Sequence, residues 1–261
     1  MDGITINIDP VILHIGNFAL RWYSLIIILA VLAALYFSWR EARRLGLNPD
    51  SVTNLALWGI PGGIIGSRLV HVLDQLDYYL EHPGKIIGGE GQAIYGAILG
   101  GALAAWIGSR VHHIPFRKFA DVFAPGLVIA QAIGRLANIV NGDATGKPTD
   151  LPWAFTYTNP NTFAPQGVPT QPSPVYEIIW DLIVLWIVLR LRGRLRPDGA
   201  LFVVYLALYS VGRFFITFTR VNTPWLGGLV QAQLIALAVL VVAVPWLAAR
   251  AHWVKKETAA S

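Results

Sequence analysis

Three arginines interrupt segments of the chain that are otherwise apolar: Arg68, Arg135 and Arg213. Each lies about five to seven residues before one end of its segment, or about 8–10 Å at a helical rise of roughly 1.5 Å per residue. Ionisable residues inside such segments are costly in lipid and usually face a protein interior or a water-filled cavity. A guanidinium stays charged and binds phosphate through two parallel hydrogen bonds. The three arginines therefore favour a site for an anionic ligand such as a phospholipid headgroup.

Two carboxylates are the predicted partners of these arginines. Glu177 and Asp181 lie one helical turn apart in a later apolar segment, and Arg220 follows Arg213 by one heptad. The positive charge exceeds the negative charge, and an anionic ligand would balance the excess. A second interpretation stays open, in which each arginine extends to the membrane interface or pairs with a carboxylate or with helix C-terminal carbonyls.

The composition indicates lipid as the solvent. Of the 261 residues, 55% are hydrophobic and 13% are charged, whereas a soluble domain carries about 25% charged residues. The chain has no cysteine, which excludes disulfides and a cysteine nucleophile, so any thiol must come from a substrate. The six histidines form no ligand pair, and no metal or organic cofactor is predicted. The net charge of +5 lies mostly in loops, which argues against a nucleic-acid partner.

A transmembrane helix needs about 20 mostly apolar residues, and seven segments fit this requirement. They cover residues 19–39, 51–73, 92–109, 119–140, 175–191, 199–219 and 228–249. The sequence predicts an all-α membrane protein, a single integral domain over residues 1–261 formed by a bundle of seven transmembrane helices. Residues 141–174 are rich in proline and turn residues. They predict a small ordered extracytoplasmic cap, although a flexible linker has a similar composition.

The basic residues predict the orientation in the membrane. Thirteen of the twenty lysines and arginines lie on one set of loop ends. These are Arg40, Arg43, Arg44, Arg110, Arg117, Lys118, Arg190, Arg192, Arg194, Arg196, Arg250, Lys255 and Lys256. Because cytoplasmic loops carry an excess of Lys and Arg, we expect the N-terminus outside and the C-terminus in the cytoplasm. The intramembrane arginines then lie in the outer half of the membrane.

The densest polar stretch runs from Gly134 to Lys147, where the fourth predicted span leaves the membrane. Arg135 and Asn138 lie one helical turn apart and can present a charged fork and an amide to one ligand. Asn141-Gly142 is a turn signal, so these two residues are also consistent with a helix end.

This stretch resembles the signature of the bacterial phosphatidylglycerol:prolipoprotein diacylglyceryl transferases. That signature is close to Gly-Arg-x-Gly-Asn-Phe-x-Asn-Gly-Glu, followed by a glycine three residues on. The matching residues are Gly134, Arg135, Asn138, Asn141, Gly142 and Gly146. Ala137 replaces the family's glycine, and Asp143 replaces its glutamate.

Further matches to the same family follow in order along most of the chain. The segment Arg21-Trp22-Tyr23 resembles the family's aromatic pair with its functional tyrosine, and Gly66-Ser67-Arg68 resembles its Gly-x-Arg. Residues 171–177 are similar to its His-Pro-Ser-Gln-x-Tyr-Glu. The sixth predicted span has the family's spacing of one tyrosine and two arginines, here Tyr209, Arg213 and Arg220.

One departure from the family lies in the third predicted span, where the usual His-Gly-Gly is Tyr95-Gly96-Ala97. Where that histidine is proposed to act as a base, this chain has a phenol, a group with an ordinary pKa of about 10. Three interpretations stay open: neighbouring arginines make Tyr95 more acidic, the base lies elsewhere, or no base is needed. We favour a Tyr95 that hydrogen-bonds a headgroup.

The resemblance implies an activity, its substrates and its place. The diacylglyceryl group of phosphatidylglycerol is transferred to the lipobox cysteine thiol of a preprolipoprotein signal peptide, which gives a thioether and glycerol phosphate. The enzyme lies among the lipids of the bacterial cytoplasmic (inner) membrane. The implied catalytic residues are Arg135, Arg213 and Tyr95. The implied substrate-binding residues are Tyr23, Arg68, Asn138, Asn141, Gly142, Asp143, Gly146, Tyr209 and Arg220, with a structural role as the alternative for Arg68.

A transporter or scramblase of an anionic lipid is the alternative from another functional class. It explains the intramembrane arginines equally well, but it predicts polar residues along a path to both membrane faces. In this sequence the polar residues cluster in the outer half of the predicted spans.

Overall fold

A computed structural model describes residues 3–16, 18–87, 91 and 93–254 of the chain, and these are mostly helical. Its α-helices are α1 (Trp22–Arg44), α2 (Asp50–Asp74), α3 (Leu76–Glu81), α4 (Ile94–Val111), α5 (Phe116–Asn141), α6 (Ser173–Leu191), α7 (Ala200–Ile216) and α8 (Gln231–Arg250). Short 3-10 turns cover Pro83–Lys85 and Thr217–Thr219. Gln92, where the third predicted span begins, lies outside the described residues.

Among the described residues, six helices are long and apolar enough to cross a membrane: α1, α2, α4, α5, α7 with its 3-10 turn, and α8. Only 11% to 33% of the residues in their apolar stretches are buried within the protein. The remaining apolar surface needs lipid around it, so the chain is a multi-pass membrane protein. In the 19-residue helix α6, every 18-residue stretch contains Glu177, Asp181 and Arg190, whereas each of the six has such a stretch with at most two charged residues.

Short strands flank the helices. Strand β1 (Ile4–Ile6) pairs in parallel with β4 (Phe155–Tyr157), and β2 (Val11–Ile15) pairs antiparallel with β3 (Phe18–Arg21). Two residues each form β5 (Leu195–Arg196) and β6 (His252–Trp253). Residues 19–21, predicted as the start of the first span, belong to β3 instead. Their backbone pairs with β2, and the helix begins at Trp22.

The chain divides into two units, the first of which comprises residues up to 38 and from 120 onwards. Its core includes a buried cluster of side chains from α5, α6 and α7, namely Ala124, Val128, Val184, Val188, Leu201 and Tyr205. The Trp180 indole Nε1 on α6 donates to the Leu208 carbonyl on α7 at 2.9 Å. Helices α5, α6 and α7, which carry Arg135, Glu177 and Arg213, are therefore packed against one another.

The N-terminus of α7 is held by a carboxylate on α5. The two oxygens of Asp121 accept hydrogen bonds from the backbone N–H groups of Gly199 and Phe202, each at 2.8 Å. The first N–H groups of a helix have no partner within the helix, and a carboxylate is favourable beside the positive end of the helix dipole. Asp121 therefore fixes the position of α7 along α5.

The second unit comprises residues 39–119, and its helices α2 and α4 pack through glycines. A Cβ atom built on Gly100 would lie 2.5 Å from the Gly62 carbonyl oxygen and 2.9 Å from the Gly66 Cα. Small residues at such positions let two helix backbones approach closely, as is common in membranes.

The segment between α5 and α6, residues 142–172, is called the connector below. Hydrogen bonds order it against β1: Ile4 N–H donates to the Ala154 carbonyl at 2.7 Å, and Thr158 N–H donates to the Ile6 carbonyl at 3.1 Å. Phe155 and Thr170 exchange two further backbone hydrogen bonds, each 2.9 Å long. The connector is thus a folded element that pairs with the N-terminal strand β1.

Candidate active site

Glu177 on α6 lies at the centre of a cluster of three guanidinium groups. Its Oε2 is 2.8 Å from Arg135 Nε, and its Oε1 is 2.7 Å from Arg213 Nη1 and 3.4 Å from Arg220 Nη1. The Arg135 contact is an ion pair without the geometry of a directed hydrogen bond. The Glu177 residue is 6% exposed. The prediction that this carboxylate is a counter-charge is confirmed for Arg135, Arg213 and Arg220.

Three elements bring these arginines together. Arg135 comes from the last third of α5, Arg213 from the last turn of α7, and Arg220 from the residue after the 3-10 turn that ends α7. The cluster carries three positive charges against one directly paired carboxylate, and Asp181 lies one turn further along α6, buried. The guanidinium side chains remain 16% to 23% exposed, so a ligand can reach them. A phosphate group suits this surplus of forked donors.

A chain of hydrogen bonds extends the cluster towards the connector. Arg135 Nη1 donates to Asn138 Oδ1 at 3.2 Å, and Asn138 Nδ2 donates to Asp143 Oδ1 at 2.9 Å. The Asn138 amide is held through both its oxygen and its nitrogen, which fixes its orientation relative to Arg135 and Asp143. Tyr23, in the first turn of α1, interacts electrostatically with Asp143 and Arg135, and Tyr209 interacts in the same way with Arg135.

Gly146 lies in a tightly filled part of the connector. Its N–H donates to the Gln171 carbonyl at 2.9 Å, and the next N–H, of Lys147, donates to the Thr219 carbonyl at 2.7 Å. A Cβ atom on Gly146 would lie 2.6 Å from Gln171 and 2.7 Å from Ser173 Oγ. The backbone is thus enclosed between two neighbouring segments, one of which leads directly into Arg220.

Gly142 and Asn141 end α5, as the turn signal predicts. Gly142 has a φ of +71°, a conformation that glycine adopts readily, and a Cβ atom there would meet Thr162 at 2.9 Å. The Asn141 carbonyl accepts a hydrogen bond from Phe163 N–H at 3.0 Å. The connector therefore caps the helix that carries Arg135.

Tyr157 is a residue that the sequence analysis missed. Its side chain is 1% exposed, and its phenol O–H donates to the Ile139 carbonyl in the last turn of α5 at 3.0 Å. Burial, and then the nearby Asp143 carboxylate, raise the pKa of Tyr157, so the phenol stays protonated and remains a donor. No local sequence pattern marks this contact, because it depends on the pairing of β4 with β1.

Arg68 and Tyr95, two predicted site residues, belong to the second unit. The Arg68 guanidinium donates to the carbonyls of Ile86 at 2.8 Å and Gly91 at 3.1 Å, and it lies 5.1 Å from the centre of the Tyr79 ring. These contacts fasten the chain that follows α3. Tyr95 is the second residue of α4. No group of three His, Cys, Asp or Glu residues arranged to hold a metal ion occurs in the part of the chain that the structure describes.

Comparison with known proteins decides the family. The family model described as prolipoprotein diacylglyceryl transferase matches residues 10–249. The chain belongs to this family. Its members include phosphatidylglycerol–prolipoprotein diacylglyceryl transferases that are similar to the chain over nearly their whole length.

Three relatives that carry the name phosphatidylglycerol–prolipoprotein diacylglyceryl transferase are similar to the chain over most of its length. The Dehalococcoides mccartyi protein is 41% identical over 241 residues, which is 92% of this chain and 93% of the relative. The Nostoc protein is 39% identical, with 92% and 88% covered, and the Lysinibacillus sphaericus protein is 36% identical, with 93% and 92% covered.

Replacing Glu177 tests the arginine cluster. Among the described residues, Glu177 is the one carboxylate that pairs directly with all three guanidinium groups, and Glu177→Gln removes its charge. Losing one partner of a buried ion pair typically costs about 3–5 kcal/mol. We expect a clearly lower melting temperature in detergent, measured by thermal unfolding. Asp150→Asn, which neutralises an exposed carboxylate of the connector, is the control and should melt like the wild type. A Glu177→Gln variant as stable as this control would contradict the central role of the carboxylate.

Proposed function

We propose that this protein transfers the diacylglyceryl group of phosphatidylglycerol to the lipobox cysteine thiol of preprolipoproteins, forming a thioether and releasing glycerol phosphate. The observation that carries this proposal is the convergence of Arg135, Arg213 and Arg220 on Glu177 in a member of the diacylglyceryl transferase family. The names of the relatives state both substrates. A transporter or scramblase of an anionic lipid is not favoured, since nothing in those names points to transport.

The proposed roles follow the chemistry of a displacement at carbon. The thiolate attacks the glycerol carbon that bears the phosphate, and the phosphate leaves. Arg135 and Arg213 hold the phosphate and its leaving oxygen, where negative charge grows in the transition state. Positive charge also favours the thiolate, because a free thiol with a pKa near 8.5 is mostly protonated at neutral pH.

The remaining site residues position the substrates. Asn138 and Tyr23 orient the phosphate, and Tyr209 lies beside Arg135. Asn141, Gly142, Asp143 and Gly146 shape the loop above the site, and Arg220 steers the headgroup or the signal peptide. Arg68 has a structural role in our proposal, supported by its bonds to backbone carbonyls of the second unit.

The proposed arrangement in the membrane is a single integral domain over residues 1–261 that adds α6 to the six apolar helices. The N-terminus lies outside, the C-terminus lies in the cytoplasm, and the cap of residues 141–174 lies outside the bacterial cytoplasmic (inner) membrane. The site then faces the outer half of the bilayer. Thirteen basic residues on one set of loop ends support this orientation.

The activity is tested with purified protein, phosphatidylglycerol vesicles and a lipobox peptide, followed by mass spectrometry of the diacylglyceryl thioether. Arg213→Ala should lower the rate about 100- to 1,000-fold, as loss of one transition-state donor does. Arg213→Lys should recover little, because an ammonium cannot make the forked contact. Arg194→Ala removes an exposed loop arginine and should leave the rate unchanged. A folded Arg213→Ala variant with normal turnover would exclude this arginine from the mechanism.

The orientation is tested by single cysteines in this cysteine-free chain. Pro160→Cys should react with a membrane-impermeant thiol reagent in intact cells. Arg194→Cys, the matched control on the opposite side, should react only after the cells are permeabilised. Labelling of residue 160 solely after permeabilisation would show the opposite orientation.

The role of Tyr95 rests on the family resemblance, and we propose that its phenol hydrogen-bonds the lipid headgroup. Tyr95→Phe then loses one hydrogen bond and should cost about 1–3 kcal/mol of transition-state stabilisation, with an unchanged pH–rate profile. Tyr95→His, which restores the family's residue, should be active with little gain. A nearly inactive Tyr95→Phe that has also lost an ionisation from its pH–rate profile would identify Tyr95 as the base.

A further inference from the structure

The helix α6 carries a second buried carboxylate that the arginine cluster does not use. Glu177 forms the ion pairs with Arg135, Arg213 and Arg220, and Asp181 takes no part in them. The Asp181 residue is nevertheless 3% exposed, even less than Glu177. A buried carboxylate is costly, so a carboxylate kept outside the ion pairs calls for a function of its own.

Asp181 belongs to a second polar layer beside the arginine cluster. Gln131 lies one turn before Arg135 on α5, Asp181 lies one turn after Glu177 on α6, and Tyr205 lies two turns before Arg213 on α7. Because residues near the C-terminal ends of α5 and α7 meet Glu177 near the N-terminal end of α6, all three displacements lead away from the cluster. We call Gln131, Asp181 and Tyr205 the Asp181 layer.

The groups that face Asp181 come from each of the three helices. Arg135 on α5 and Glu177 on α6 act on it electrostatically, and Tyr205 on α7 does so as well. Tyr205 is 6% exposed, its ring centre lies 6.4 Å from that of Tyr209, and it interacts with the side chain of Gln131. The Gln131 Oε1 atom is buried without a hydrogen-bond partner among the described residues. The Asp181 layer therefore contains a buried amide oxygen that can still accept a hydrogen bond.

The geometry of the proposed reaction locates the attacking sulfur relative to the phosphate. In a displacement at carbon, the nucleophile approaches opposite to the leaving group. Reacting atoms start about 3–3.5 Å apart, and with the length of the C–O bond the sulfur lies about 4.5–5 Å from the leaving oxygen. One helical turn is about 5.4 Å. A phosphate held in the arginine cluster thus leaves the sulfur about one turn away, which is the spacing between Glu177 and Asp181 along α6.

We propose that Asp181 is the general base that accepts the proton of the lipobox thiol. This inference rests on the proposed function and adds to it the residue that replaces the base histidine suggested for the family. The S–H proton passes to the Asp181 carboxylate, and the sulfur electron pair forms the new S–C bond. The C–O bond to phosphate breaks, and its electron pair stays on the phosphate oxygen. The departing glycerol phosphate takes the proton from Asp181, which restores the carboxylate.

The test compares Asp181→Asn with the wild type in the thioether assay from about pH 6 to about pH 9.5. Loss of a general base typically costs about 100- to 10,000-fold, so at pH 7 the variant should be at least about 100-fold slower, with an unchanged KM for phosphatidylglycerol. Above the thiol pKa of about 8.5 the peptide ionises without help, and the difference should shrink. A normal rate at pH 7, or a loss by the same factor at every pH, would overturn the proposal.

Two further variants separate catalysis from folding. Asp181→Glu keeps a carboxylate and should keep the wild-type pH dependence, with a rate loss below about tenfold on the same scale of general-base effects. Asp121→Asn weakens the carboxylate that holds α7 and should lower stability, with any rate loss equal at every pH. If Asp181→Asn does not fold, the pH–rate profile of the wild type tests the proposal instead. A wild-type rate that rises only with ionisation of the peptide thiol would overturn it.

The assay also separates this inference from the proposed function. A wild-type protein that forms no thioether would refute the transferase activity and the inference together. An active wild type with an equally active Asp181→Asn variant would refute the inference alone.

Discussion

The ion pairs between Glu177 and three arginines are the interaction on which the site depends. Each arginine comes from a different part of the chain, so one carboxylate fixes α5, α7 and the segment after α7 with respect to α6. Three guanidinium groups would repel one another strongly in an apolar surrounding. The carboxylate lowers this repulsion and holds their free N–H groups close together without occupying all of them. Charge balance and geometry are therefore achieved by the same side chain.

A substrate phosphate changes this balance in a defined way. A guanidinium has five N–H donors, and the contacts with Glu177 use few of them, so a phosphodiester can bind while the ion pairs persist. As the C–O bond breaks, the phosphate gains negative charge at a point already surrounded by fixed donors. Such preorganised groups need little rearrangement during the reaction, which is why they stabilise a transition state more than a ground state.

The helices and the charges could largely be predicted from the sequence, because each depends on local spacing. Apolar stretches mark the helices, and the one-turn spacing of Glu177 and Asp181 identifies the acids that face the arginines. Long-range contacts leave no such pattern. Tyr157 reaches the end of α5 only because β4 pairs with a strand near the N-terminus. The spacing from Arg213 does point to Arg220, but the backbone hydrogen bond between Lys147 and Thr219 that holds the segment before Arg220 has no local signal.

Departures from the predicted boundaries have a similar cause. Residues 19–21 are apolar enough to continue a helix, but pairing with β2 takes them into a strand. The closed environment of Gly146 likewise depends on Gln171 and Ser173, more than twenty residues away. At these places the backbone conformation and the surroundings of the residues are determined by tertiary contacts rather than by the local sequence.

The contact between Asp121 and the start of α7 constrains the order in which the protein is made. Asp121 lies early in α5, whereas both of its hydrogen-bond donors belong to residues 199 and 202. A ribosome synthesises about 80 further residues before these donors exist, including the whole connector and α6. During biogenesis the carboxylate must therefore be solvated by water, lipid headgroups or the insertion machinery. The hydrogen bonds that hold the start of α7 against α5 can therefore form only after the beginning of α7 has been translated.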